Sequence, residues 1–178
     1  MIFTEIHKKL IYEKRLGNDY RDGDSRAVGD GDENLSRLNF MARLDLIHNS
    51  VKNALVKDGW QITADPFKIE YEEVKLYADL ASERPFAARL GNRQIVVEVK
   101  SFAGRSNIRE FEQALGQYNL YRGFLSVVEP ERKLFLAVSE EIYEEFFGLA
   151  AIKLIMRQQN LLLLVVNIET ETIVKWIE

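Results

Sequence analysis

The chain has 178 residues, 47% of them apolar, which is the length and composition of one folded domain with a real core and not of a disordered protein. A formal net charge of −4 argues against a protein that coats nucleic acid nonspecifically, though not against a local basic cleft. With no cysteine, disulfides, thiolate zinc sites and thiol catalysis are excluded. The opening MIFTEIHKKL is broken by charge, and the longest apolar run, Leu161 to Val166, is too short to cross a bilayer. The expectation is a cytoplasmic protein with no membrane partner.

Residues 2–16 have the spacing of a short amphipathic helix through Ile2, Phe3, Ile6, Leu10 and Ile11. The following GNDYRDGDSRAVGDGDEN is rich in Gly and Asp and reads as a mobile, solvated linker. Its DGDEN is no calcium loop, because the glycine due after Asn34 is Leu35 and the twelfth position is Met41. Residues 1–40 therefore read as an N-terminal extension and 41–178 as the folded domain.

Residues 45–58 predict a helix through Leu46, Ile47, Val51, Ala54 and Leu55, stopped by Gly59. Trp60 to Thr63 begins extended structure, and Asp65-Pro66 marks a turn. Val74 to Ala81 predicts a strand. Phe86 to Leu90 and Arg93 to Lys100 predict a hairpin across Gly91-Asn92. Residues 107–127 carry a helical pattern, Lys133 to Val138 a strand, Glu140 to Gln159 a helix, and Leu161 to Asn167 and Thr172 to Ile177 two more strands. The order α-β-β-β-α-β-α-β-β predicts an α/β (α+β) fold, a mixed sheet with helices packed against it.

The chemistry narrows to carboxylates. The two histidines, His7 and His48, have no nucleophile placed beside them; no Gly-rich phosphate loop and no histidine cluster with metal spacing is present. Glu-x-Lys occurs at Glu73–Lys75, Glu98–Lys100 and Glu131–Lys133, and the first and third read as surface charge. In QIVVEVKS, Glu98 and Lys100 point to one face of their strand, and Val97 and Val99 to the other. From these residues alone, the pair is either a salt-bridged solvent face or one wall of a site. Asp79, inside VKLYADLA, is likewise either a strand-edge acid or a partner for Glu98. Two such carboxylates would suit Mg²⁺ or Mn²⁺, which take oxygen ligands, with the Lys100 ammonium steadying charge on phosphate oxygens.

An Asp and then Glu-x-Lys on a meander between two helices resembles the PD-(D/E)xK nuclease superfamily, whose fold is restriction-endonuclease-like. Gln117, Tyr118, Asn119, Leu120 and Tyr121 match the Gln-hydrophobic-x-x-Tyr signature of its RecB-like members, and one helical turn separates Gln117 from Tyr121. More closely, HNSVKNALVKDGWQITADP, YADLA, VVEVKSF, FEQALGQYNLYR, EPERKLFLAV and IVKWIE, in that order over 41–178, resemble the XisH family of element excision controlling factors, found chiefly in cyanobacteria. MARLDLIH resembles that family's usual opening, so residues 1–40 are an extension or an upstream start.

The resemblance implies a role in excising a DNA element beside a recombinase and an XisI-like protein; a homodimer stays open, since the sequence does not set the oligomeric state. It implies Asp79, Glu98 and the Val99 carbonyl as ligands of Mg²⁺ or Mn²⁺, Lys100 as the charge-stabilising group, and Gln117 and Tyr121 as groups that orient water or phosphate. Ala78 stands where the superfamily's proline would be. His48 and Asn49 stand where many members carry a supporting glutamate. Arg105, Arg109 and Arg122 are expected to flank the cleft as DNA contacts, with Arg84, Arg89 and Arg93 on the preceding hairpin. Two functions stay open: a metal-dependent deoxyribonuclease, and a regulator that keeps the fold, does not cleave, and acts by binding DNA or protein.

Overall fold

The computed structural model describes residues 30–76 and 86–178. Asn39–Glu178 forms a compact unit built on a six-stranded mixed sheet. The strands are β1 (Gln61–Ala64), β4 (Phe86–Leu90), β5 (Arg93–Val99), β6 (Arg132–Ser139), β7 (Leu163–Asn167) and β8 (Thr172–Ile177), in the spatial order β1-β4-β5-β6-β7-β8. β4 and β5 form the predicted hairpin, with Leu90 opposite Arg93. The turn needs positive φ, which Gly91 adopts at 56° at no steric cost. From β5 the chain crosses over through α2 (Asn107–Val128) to pair β6 parallel to β5, and β7 then joins β6 parallel as well.

The alternation of β5 decides what lies on each face of the sheet. Val96 joins Leu134, Leu136, Val138, Leu163 and Val165 under Phe111, Ala114, Tyr118, Tyr121 and Leu125 of α2. Ile95, Val97 and Val99 join Phe135, Ala137, Leu164 and Val166 on the opposite face. There they meet Ile47, Val51, Ala54 and Leu55 of α1 (Asp30–Lys57), together with Trp60. Each fully buried aliphatic side chain contributes roughly 1.5–3 kcal/mol. A strand covered on both faces reads as a continuous apolar run, as β5 to β7 do.

Three elements depart from the expected ones. The first helix begins at Asp30, within the segment read as linker, and Leu46, expected on its inner face, is exposed. Val74–Leu76 (β3) pairs with Ile69–Tyr71 (β2) in a separate two-stranded ribbon, so it is not a strand of the main sheet; the remainder of the expected Val74–Ala81 strand lies outside the described residues. The ribbon packs on α2, where the Tyr71 and Phe124 rings lie 5.8 Å apart. The helix expected over Glu140 to Gln159 is broken into α3 (Glu140–Ile142), a π-helical turn (Tyr143–Phe147) and α4 (Ala150–Gln158). The wider turn brings Phe146 and Phe147 inward together, and both are buried. Leu149 then caps α4 in extended conformation.

Tyr118 is the polar anchor of the α2 layer. Its hydroxyl donates to the Leu134 carbonyl at 3.0 Å and accepts from the Leu162 amide at 3.1 Å. Tyr118→Phe would leave both backbone groups short of a partner inside the core, and should destabilise the fold by about 1–3 kcal/mol in urea unfolding.

Candidate active site at the end of strand β5

Glu98 follows Val97 near the C-terminal end of β5, where the ladder to β6 pairs it with Leu136. The ladder continues one residue further, since the Lys100 amide donates to the Ala137 carbonyl at 3.0 Å. By strand alternation Glu98 shares the face of Val96, which is the α2 face. It is 0% exposed, while the Lys100 side chain keeps 12% of its surface and brings Nζ to 3.6 Å from Glu98 Oε1. The pair does not face water.

The segment after Lys100 is held in place by aromatic packing. Ser101 and Phe102 are buried, and Phe102 takes a positive φ of 50° that a bulky residue rarely adopts. Its ring is fixed edge-on to Phe147, 5.3 Å between centroids, and tilted on Phe146 at 5.9 Å; Phe111 of α2 meets the same two rings. Gly104 leaves room for the Glu110 side chain, which lies where a Cβ would project. The π-helical turn thus fixes the chain between Lys100 and the start of α2.

α2 then runs back along the sheet and brings Tyr121 to Glu98. Burial pushes the Tyr121 phenol far above its ordinary range, and the Glu98 charge pushes it the same way. Tyr121 therefore keeps its proton at neutral pH. Gln117 lies one turn earlier on the same side of the helix, and among the described residues its buried Oε1 has no hydrogen-bond donor. Arg105 and Arg109 are exposed, before and within the first turn of α2.

Other expected residues lie elsewhere. Arg122 does not join Arg105 and Arg109. Its fork reaches the Gln159 carbonyl at the end of α4 and Asn119 Oδ1 at 2.9 Å, and it stacks over Tyr118. Arg93 opens β5, five residues before Glu98, and lies over Trp60, while Arg89 reaches Gln61, so both mark the far end of the hairpin. Asp79 and Arg84 lie outside the described residues. Among the described residues, no three His, Asp or Glu side chains cluster as metal ligands would.

His48 belongs to the α1 face. Its ring is edge-on to Phe86, 5.5 Å between centroids, and Nε2 lies 3.3 Å from Asp65. Phe86 pairs with Val97, so His48 sits at the Glu98 end of the sheet but across it from Glu98. Lys52 completes the group through an ion pair with Asp65; Asn49 is exposed. The sequence reading missed Lys52 and Asp65. The signal available was the i, i+4 spacing of His48 and Lys52, with one acid in the turn after β1.

A family model described as XisH protein matches residues 41–174. The chain belongs to the XisH family. The crystal structure of an XisH family protein from Nostoc punctiforme PCC 73102 is similar at 42% identity and a TM-score of 0.70, over 75% of this chain and all of that one. The crystal structure of a fdxN element excision controlling factor protein from Anabaena variabilis is similar at 44% identity and a TM-score of 0.70, over 75% of this chain and 99% of that one. The comparison with curated proteins finds no match. No described helix of this XisH-family chain is long and apolar enough to cross a membrane.

Two outcomes follow from the geometry. Glu98→Gln and Lys100→Met should each destabilise by about 3–5 kcal/mol, because either leaves one member of an enclosed pair uncompensated. The double variant should be less destabilised than the sum of the two, with a coupling of roughly 1–3 kcal/mol in a denaturation cycle. Burial, the largest single influence, raises the Asp65 carboxyl, but Lys52 and His48 together outweigh it and hold the group below the usual carboxylate range. A lowered pKa contributes stability above the ordinary Asp range and loses it as pH falls through the folded value. Below roughly pH 4 the protein should lose this contribution, about 0.5–1 kcal/mol for a partly exposed cluster whose Lys52 and Asp65 side chains keep 26% and 28% of their surface. Asp65→Asn should flatten that part of the acid unfolding profile.

Proposed function

We propose that this chain is an excision controlling factor that works on DNA through the Glu98 end of the sheet, as a metal-dependent endonuclease-type site. The observation that carries the reading is the enclosed carboxylate of Glu98, held beside the Lys100 ammonium under Tyr121. Burying such a pair is costly in desolvation and does little for stability, so it points to a role in chemistry.

The donor set at this end suits a hard divalent cation. Glu98 offers a carboxylate, Val99 a carbonyl, and Gln117 a buried amide oxygen with no hydrogen-bond donor among the described residues. Asp79 is the proposed second carboxylate. Bound Mg²⁺ or Mn²⁺ would polarise a phosphate and lower the pKa of a coordinated water. Lys100 would neutralise charge developing on the phosphate oxygens. Tyr121, protonated at all working pH, would donate a hydrogen bond to phosphate or water, and the Gln117 amide would orient the attacking water. Arg105 and Arg109 would meet the DNA backbone, so binding should weaken steeply with salt. An XisI-like protein and a recombinase are the proposed partners.

One observation favours a second reading. A carboxylate with no exposed surface admits a cation only if the groups around it move. A regulator that retains the fold, binds DNA or a partner, and does not cut would need no such movement.

Plasmid and duplex cleavage with Mg²⁺ or Mn²⁺, run beside a DNA-binding titration, separates the readings. The nuclease predicts cleavage by the wild type that falls at least ~100-fold in Asp79→Ala and in folded Glu98→Gln, with DNA binding retained. Binding without cleavage in every protein assigns the regulator. Neither binding nor cleavage, with or without the partners, would sink both.

A further inference from the structure

A cation that reaches Glu98 must displace something, and the surroundings of that carboxylate show what can give way. Val99, Ser101 and Tyr121 are buried, while the Lys100 side chain keeps 12% of its surface. Of these residues, Lys100 alone reaches solvent. The backbone on either side of it is held. Glu98 and Val99 stand in the parallel ladder opposite Leu136 and Ala137, and the Lys100 amide extends that ladder to the Ala137 carbonyl. Phe102, two residues further on, is clasped by Phe146 and Phe147. The movable part is the four-carbon stem of Lys100, a flexible carrier for a compact charge. Its Nζ lies 3.6 Å from Glu98 Oε1, so a swing of the stem takes the ammonium off the carboxylate with the backbone unmoved.

Electrostatics gives this contact a purpose. An enclosed carboxylate with no counter-charge costs several kcal/mol, and the Lys100 ammonium supplies that charge. A divalent ion in its place brings two charges where the ammonium brings one, and the released ammonium regains its hydration. A monovalent ion brings no surplus and competes with a tethered group, whose effective concentration is high. The exchange also sets an order of events. An ammonium seated on Glu98 is not available to phosphate. Once displaced, it stands on the solvent side of the carboxylate, where a substrate phosphate would arrive.

We propose, resting on the reading of Glu98 as a cation ligand, that Lys100 is the latch of this site. It is the resident counter-ion of Glu98 in the metal-free protein. A divalent cation releases it, and only then is its charge presented to phosphate.

Acetylation by sulfosuccinimidyl acetate at one fixed pH, followed residue by residue by mass spectrometry, reads the latch in the wild-type protein. Without metal, Lys100 should react at least ~10-fold more slowly than the exposed Lys57 and Lys133. Saturating Mn²⁺ should speed Lys100 at least ~5-fold and leave Lys57 and Lys133 unchanged. In folded Glu98→Gln, Mn²⁺ should have no effect on Lys100. Calorimetric titration of Lys100→Met should give an Mn²⁺ dissociation constant at least ~10-fold below that of the wild type. Simple repulsion by a nearby ammonium would also produce that gain, so the acetylation is what separates release from repulsion. Binding of Mn²⁺ that depends on Glu98, with Lys100 acetylated at an unchanged rate, would overturn the latch and leave the cation site standing. A Lys100 as reactive as Lys57 before metal is added would overturn it too. No Mn²⁺ binding by the wild type or by Lys100→Met would remove the cation site, and the latch with it.

Discussion

A carboxylate with no exposed surface, set against an ammonium two residues along the same strand, is the constraint around which this domain is arranged. Moving either charge out of water costs several kcal/mol, and the attraction between them repays that only with good geometry. The fold supplies the geometry with rigid parts. β5 is covered on both faces, so the direction of Glu98 is fixed by strand alternation. α2 is tied to β6 through the Tyr118 hydroxyl, which sets where Tyr121 meets the carboxylate. The four phenylalanines around the π-helical turn hold the segment that follows Lys100.

What could be read from the sequence was what depends on local pattern. The hairpin from Phe86 through β5, the crossover helix and the last three strands all follow from periodicity and turn chemistry, and match within a residue or two. The break in the helix after Ile142 was not legible. Its cause is tertiary: Phe146 and Phe147 both turn inward to pack on Phe102 and Phe111, a demand that helical spacing does not express. The detached ribbon of β2 and β3 was hidden for the same reason, since a three-residue strand carries too little pattern to name its partner. At the site, the shared face of Glu98 and Lys100 was legible from alternation alone, whereas their burial was not. An acid and a base two apart look alike on a wet face and inside a sheet.

Charge placement was the least legible. Arg122 lies one residue after Tyr121, and by linear proximity it belongs with Glu98. Helical rotation instead turns it to the end of α4. His48 and Asp65 are seventeen residues apart and joined only because α1 and the turn after β1 meet at one end of the sheet. The inner side of α2 presents Tyr121 to Glu98.

The central claim, that the Glu98 end of β5 is a cation site, is tested most directly by anomalous scattering from crystals of the protein grown with Mn²⁺. The prediction is a single strong peak within about 2.0–2.3 Å of the Glu98 and Asp79 carboxylates, with the Lys100 ammonium displaced from Glu98. Saturating Mn²⁺ with no peak there, and Lys100 still seated on Glu98, would contradict it.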